Sequence, residues 1–300
     1  MHESAHAHDH HKADSRRVLS LALALTLGFA IVEATAGWLS GSLALLSDAG
    51  HMLTDSTSLG LAALAAWMAR RPPSRRHSYG LGRTETLAAL VNALLMVALV
   101  SAVGALAVER LLQPEPVHGG IVTWVALTGL LVNVGVAWLL MGSRGNLNVR
   151  AALLHVMGDL LGSIVALVSG VVILYTDWTP IDPILSLFIA LLILVSSLRL
   201  LGEVVHTLLE GVPLNLDLAE VGRAMAGTEG VLSVHDLHIW SLSAESTVLS
   251  AHIVLRRIEQ WDGVLGRLQD LLSSRFGIEH VTLQPEAVEA LVQIKPLAKR

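Results

Sequence analysis

Two short stretches of this sequence set metal-ligating side chains at the same spacing, His51-Met-Leu-Thr-Asp55 and His155-Val-Met-Gly-Asp159. On a helix, positions i and i+4 lie one above the other, so each stretch presents an imidazole beside a carboxylate. Both sit inside long apolar runs, Ser42–Met68 and Ala151–Tyr175. An Asp at the centre of a membrane helix costs about 2.5–3.5 kcal/mol on insertion scales, which makes it a functional candidate by default. Two helices that bear this cost at one spacing suggest one shared site. Two neutral imidazoles and two carboxylates suit a divalent ion such as zinc, which takes four N and O ligands tetrahedrally and leaves the group neutral.

The elements that must hold such a site are membrane helices. Of 300 residues, 53% are hydrophobic and 15% charged, with mean hydropathy +0.62, which excludes an ordinary soluble globular protein. Six apolar segments approach the roughly 20 residues needed to cross a bilayer. They fall at Val18–Leu39, Ser42–Met68, Thr84–Leu111, Ile121–Met141, Leu147–Tyr175 and Ile184–His206. Basic residues occupy alternate connections: Lys12, Arg16 and Arg17, then Arg70, Arg71, Arg75, Arg76 and Arg83, then Arg144 and Arg150, then Arg199 near the end of the sixth segment. The positive-inside rule therefore predicts both termini in the cytoplasm. A net charge of −5 argues against a nucleic-acid partner, and the absence of cysteine excludes disulfides and thiolate ligands.

Residues 1–17 are polar and carry five of the 14 histidines; their composition predicts an unfolded arm that collects metal or binds it only weakly. The spans carry further polar groups. Glu33 is expected to line the cavity or pair within the bundle, and Asp48 to sit in water near the outer surface, or else to relay protons or support His51. Asn92 and Asn133 are expected to bond between helices. The domain boundary is expected at 209/210. Residues 210–292 read as a soluble α+β domain, in the order helix Asp217–Ala226, strands Val231–Trp240 and Thr247–Leu255, helix Asp262–Phe276 and strand His280–Gln284, with a tail at 293–300. His238 is expected on the strand face opposite His235.

Several segments together resemble the cation diffusion facilitator family of zinc transporters. They are SLALLSDAGHMLTD (Ser42–Asp55), the paired HxxxD motifs, HSYGLGRTE (His77–Glu85), VHDLHIWSLS and HVTLQPE. The resemblance implies six spans, a homodimer, a ferredoxin-like, metallochaperone-like cytoplasmic domain, and export of zinc in exchange for protons. The paired motifs resemble the zinc/cadmium-preferring branch. The short connection between the fourth and fifth spans resembles bacterial members, which implies residence in the inner (plasma) membrane. It implies a second metal site in the soluble domain at His235, His252 and Glu286, with Glu279 or His280 close by. Leu283 and Pro285 stand where some relatives carry ligands, so the implied site holds one metal. Ser74 and Leu81 beside His77 imply no loop site. Arg83 and Glu210 match the basic and acidic residues that lock the dimer in relatives. Zinc is then a transported substrate and a regulatory ligand, with no organic cofactor.

Metal binding needs neutral His and ionised Asp, so protons compete with zinc for the same four groups. An imidazole pKa near 6.5 suits His51 and His155 to that exchange. One rival is a membrane-embedded zinc-dependent hydrolase, in which a three-ligand zinc activates water; none of the six apolar segments contains HExxH, the one match (His2–His6) falling in the polar arm, and no Glu stands beside either motif. A metal sensor built on the soluble domain is the other, and ligands at mid-membrane argue against it.

Overall fold

The computed structural model describes residues 3–141, 147–243 and 246–287. The chain divides into two compact units, one of residues 1–64 and 88–201, the other of 65–87 and 202–300. Residues 65–87 and the last turns of the sixth helix cluster with the elements that follow residue 209. The tail at 293–300 and Arg144 lie outside the described residues.

Six long helices come first: α1 (Glu3–Ser40), α2 (Leu43–Ala69), α3 (Thr84–Leu112), α4 (Gly119–Met141), α5 (Leu147–Thr176) and α6 (Ile181–Leu208). The arm expected to be unfolded is instead helical from Glu3, continuous with the first span. Polarity deprives the segment of a core, but residues 3–17 contain neither Gly nor Pro to stop a helix once the apolar turns downstream have nucleated it. Among the described residues, five segments are long and apolar enough to cross a membrane: Leu21–Ser40, Thr84–Leu112, Gly119–Met141, His155–Thr176 and Ile181–Leu208. The remaining helix, α2, is about 40 Å long at 1.5 Å per residue. Its apolar character is diluted by Asp48, His51, Asp55 and a run of Ser and Thr.

These helices bury small and branched side chains against each other and leave Leu, Ile and Val on their outer faces. Trp38, Trp124, Trp138 and Tyr175 are exposed at or near helix ends, the level of a membrane–water interface. α2 joins two buried clusters. Ala44 and Leu45 pack with Ala36, Val122, Ala126 and Ala166 of α1, α4 and α5, while Leu43 packs with Val100, Val103 and Ala107 of α3 and Ala190 of α6. Hydrogen bonds tie α2 down at its first turn. Asp182 of α6 accepts from Ser42 Oγ (2.6 Å) and the Leu43 amide (2.6 Å), and also from Ser169 Oγ of α5 (3.2 Å).

The second unit follows the expected α-β-β-α-β order: α7 (Leu218–Ala226), β1 (Val231–Ser243), β2 (Ser246–Leu255), α8 (Trp261–Phe276) and β3 (His280–Ala287). Asp217 caps α7 by accepting from the Ala219 and Glu220 amides, and Gly277 ends α8 in the left-handed conformation (φ 67°). The sheet runs β1-β2-β3, antiparallel between β1 and β2 and parallel between β2 and β3. Val221, Met225, Leu249, Ile253, Leu255, Leu268 and Leu272 form a core between the helices and one sheet face. Among the described residues of this unit, no helix covers the other face.

Candidate metal sites

In the membrane unit, α2 and α5 bring all four residues of the paired motifs together. The Asp55 carboxylate is 3.5 Å from His51 Nε2 and 3.2 Å from His155 Nε2, while Asp159 Oδ2 is 3.8 Å from His155 Nε2. The two imidazole centroids are 6.0 Å apart. Asp159 is fully buried and neither of its oxygens has a hydrogen-bond partner; His51 Nδ1 lacks one too. Buried carboxylates without donors are costly in a low-dielectric interior unless a cation or a proton neutralises them. Four ligating groups within this span are therefore a cation-binding arrangement in their chemistry.

Of the two placements expected for Asp48, in surface water or supporting His51, the structure does not show the first. Asp48 is buried, one of its oxygens has no partner, and it lies against Gly162 of α5. The cause is a missing side chain: a Cβ at Gly162 would overlap the Asp48 carboxylate, so glycine lets α2 and α5 close at that level. Glu33 on α1 is fully buried with both oxygens unpartnered, against Gly129 of α4. Asn133 donates to Ser163 Oγ (3.1 Å) and Asn92 bonds Ser58, both between helices.

In the second unit, His235 of β1, His252 of β2 and Glu286 of β3 meet on the helix-free sheet face. Glu286 accepts from His235 Nε2 (2.9 Å) with one oxygen and from His252 Nδ1 (2.6 Å) with the other. Those two donors, His235 first, hold the Glu286 carboxyl below the ordinary carboxylate range. His280 stands apart, its ring edge-on to Tyr79 with centroids 6.0 Å apart.

Sequence alternation fails at β1. His235 pairs with His252 and His238 with Ser250, so both histidines share the outer face; an extra residue between them makes a bulge, with Asp236 at φ 47°. The expected opposite placement of His238 is thereby corrected. The same bulge turns the Asp236 carboxylate to 3.7 Å from His235 Nδ1, into a metal-competent group with His235 and His252 that simple alternation would not reveal.

Arg83 donates to Glu210 Oε1 at 2.9 Å within the second unit, and Glu210 holds φ 60° just past the end of α6.

The model of the cation efflux transmembrane domain matches residues 19–209, and that of the cation efflux protein cytoplasmic domain matches 213–288. The chain belongs to the cation efflux family. It is a multi-pass helical membrane protein with a cytoplasmic C-terminal α+β domain, in a family of transporters and not of enzymes. This cation efflux protein is similar to the zinc transporter ZitB of Escherichia coli K12, 45% identical over 290 residues, covering 94% of this chain and 92% of that protein. It is 36% identical to the cadmium, cobalt and zinc/H(+)-K(+) antiporter of Bacillus subtilis, over 93% and 91% of the two chains. It is 39% identical to the metal cation efflux system protein CzcD of Cupriavidus metallidurans, over 94% and 90%. A solved metal-bound C-terminal domain of CzcD is 42% identical, covering 24% of this chain and 99% of that one, with TM-score 0.23.

Proposed function

We propose that this cation efflux protein exports zinc, together with cadmium or cobalt, from the cytoplasm in exchange for protons, by alternating access around His51, Asp55, His155 and Asp159. The observation that carries this reading is the position of Asp55, within 3.5 Å of His51 and 3.2 Å of His155 on two helices of the membrane unit. Two carboxylates and two imidazoles balance a divalent charge and favour zinc over harder ions. The relatives whose names speak of zinc, cadmium and cobalt support the substrate class.

From the cytoplasm, zinc meets neutral imidazoles and ionised carboxylates. On the far side, protons compete for the same atoms and release the ion. The empty site returns protonated, because bare carboxylates such as Asp159 are costly to bury. In this reading α2 crosses the membrane as the sixth span, its polar residues facing the site, and both termini are cytoplasmic, in the inner membrane. His235, His252 and Glu286, with Asp236 beside them, form a second zinc site with a regulatory role. The chain works as a homodimer locked near Arg83 and Glu210. Metal uptake by inverted vesicles under an imposed pH gradient tests the reading. Zinc uptake that collapses with the gradient and is absent in Asp159→Ala is expected; gradient-independent uptake, or uptake retained in that variant, overturns it.

A further inference from the structure

We propose that Asp182 is a positioning residue for the four-ligand group, a buried pin that sets the spacing of the two helices bearing it. The inference rests on reading that group as the transport site. Asp182 is the second residue of α6 and fully buried, and its carboxylate touches no member of the group. It accepts from Ser42 Oγ and the Leu43 amide at 2.6 Å each, and from Ser169 Oγ at 3.2 Å. Leu43 opens α2 and Ser169 lies in α5. Among the described residues, no other charged side chain outside the group hydrogen-bonds both ligand-bearing helices.

The carboxylate meets α2 at its positive end, where the first amides have no intrahelical acceptor. His51 lies eight residues beyond Leu43, about 12 Å along the helix axis; Asp159 lies ten residues before Ser169, about 15 Å away. Both helices are regular over those stretches, so a change of spacing at the pin is carried to the Asp55–His155 contact. The same end is braced by the His118 amide on Ser40 O (2.9 Å) and by Arg110 on Gly41 O. A four-ligand metal site tolerates displacements of only about 0.5 Å. Asp182 thereby acts on metal affinity without touching the metal.

Cobalt is a suitable probe, because tetrahedral Co²⁺ absorbs visible light strongly and six-coordinate Co²⁺ weakly. The experiment uses the protein with both of its units, lacking only residues 2–11 and carrying His252→Ala, so that the membrane site dominates, with Asp159→Ala as control. Asp182→Asn keeps the volume but turns an amide N–H₂ toward groups that are themselves donors. The expected result is a weakened tetrahedral band, with cobalt affinity lowered and zinc KM raised by about tenfold or more. Ser42→Ala and Ser169→Ala should move both readouts the same way by smaller factors. A wild-type band and KM in Asp182→Asn, with only the melting temperature lowered, would reduce Asp182 to a helix cap. If Asp182→Asn does not fold, unchanged band and KM in both serine variants overturn the pin. A cobalt band that survives Asp159→Ala overturns the reading of the four-ligand group itself, and the pin with it.

Discussion

The Asp55 carboxylate lies nearer to His155 of α5, at 3.2 Å, than to His51 on its own helix, at 3.5 Å. The two motifs therefore interleave, and the Asp55 carboxylate reaches imidazoles on both α2 and α5. Removing it should do more than delete one ligand. Asp55→Ala and Asp159→Ala are each expected to lower zinc affinity about 100-fold or more and to abolish flux, while the protein still purifies as a folded oligomer. Isotopic zinc uptake at matched expression checks this, and near-normal flux in either variant counts against the shared site.

Selectivity should reside in the imidazoles. His51→Asp leaves one nitrogen and three carboxylates in the same i, i+4 geometry, a harder site that a divalent ion no longer neutralises. The variant is expected to transport zinc with relaxed discrimination against cadmium or manganese and an altered pH dependence. Flux of each metal across a pH series measures it; an identical metal order and pH profile would remove His51 from the ligand set.

Close approach of α2 to α5 depends on Gly162. A methyl there meets the Asp48 carboxylate, so Gly162→Ala should destabilise the membrane unit by about 1–3 kcal/mol, as overpacked sites do. Adding Asp48→Ala should recover most of the loss. Melting temperatures of the two variants in one detergent decide it; an additive double mutant denies the contact.

Arg83 and Glu210 are both well exposed, at 40% and 61%, so their pairing is worth at most about 1 kcal/mol to stability. Its effect is expected in oligomerisation or transport instead. Arg83→Glu should weaken one of these, and the added Glu210→Arg should partly restore it. A charge swap that recovers nothing argues that the pair has no such role.

The soluble domain has a core of its own, so a 210–300 fragment is expected to fold, and zinc should raise its melting temperature through His235, His252 and Glu286. His252→Ala should remove that rise, and Asp236→Ala should reduce it. In the metal-free fragment the Glu286 carboxyl titrates below its unfolded value, so its contribution to stability is present above about pH 4.3 and lost as the pH falls through the folded value. Thermal unfolding between pH 3 and 7 should show that loss weakened in Glu286→Gln; identical profiles exclude the hydrogen-bonded pair as its source.

The membrane unit and the four residues that converge in it, His51, Asp55, His155 and Asp159, were legible in the chain itself, because hydropathy and the i, i+4 spacing are local properties that a helix converts directly into geometry. The α-β-β-α-β order of the soluble domain was legible for the same reason, each element carrying its own period and cap. Three placements required the tertiary structure. For Asp48 the sequence left surface water and support of His51 both open, and its burial depends on a glycine more than a hundred residues away that admits it. Asp182 carries no local spacing or motif that marks it, since a carboxylate becomes a pin only when Ser42, Leu43 and Ser169 converge on it. The face of His238 and the approach of Asp236 to His235 follow from one bulge residue, which reverses the alternation on which strand faces are assigned. Local periodicity determined what the elements are and which residues could ligate. Which carboxylates are buried, and what they hold, follows from contacts between elements distant in sequence, on which local spacing has no bearing.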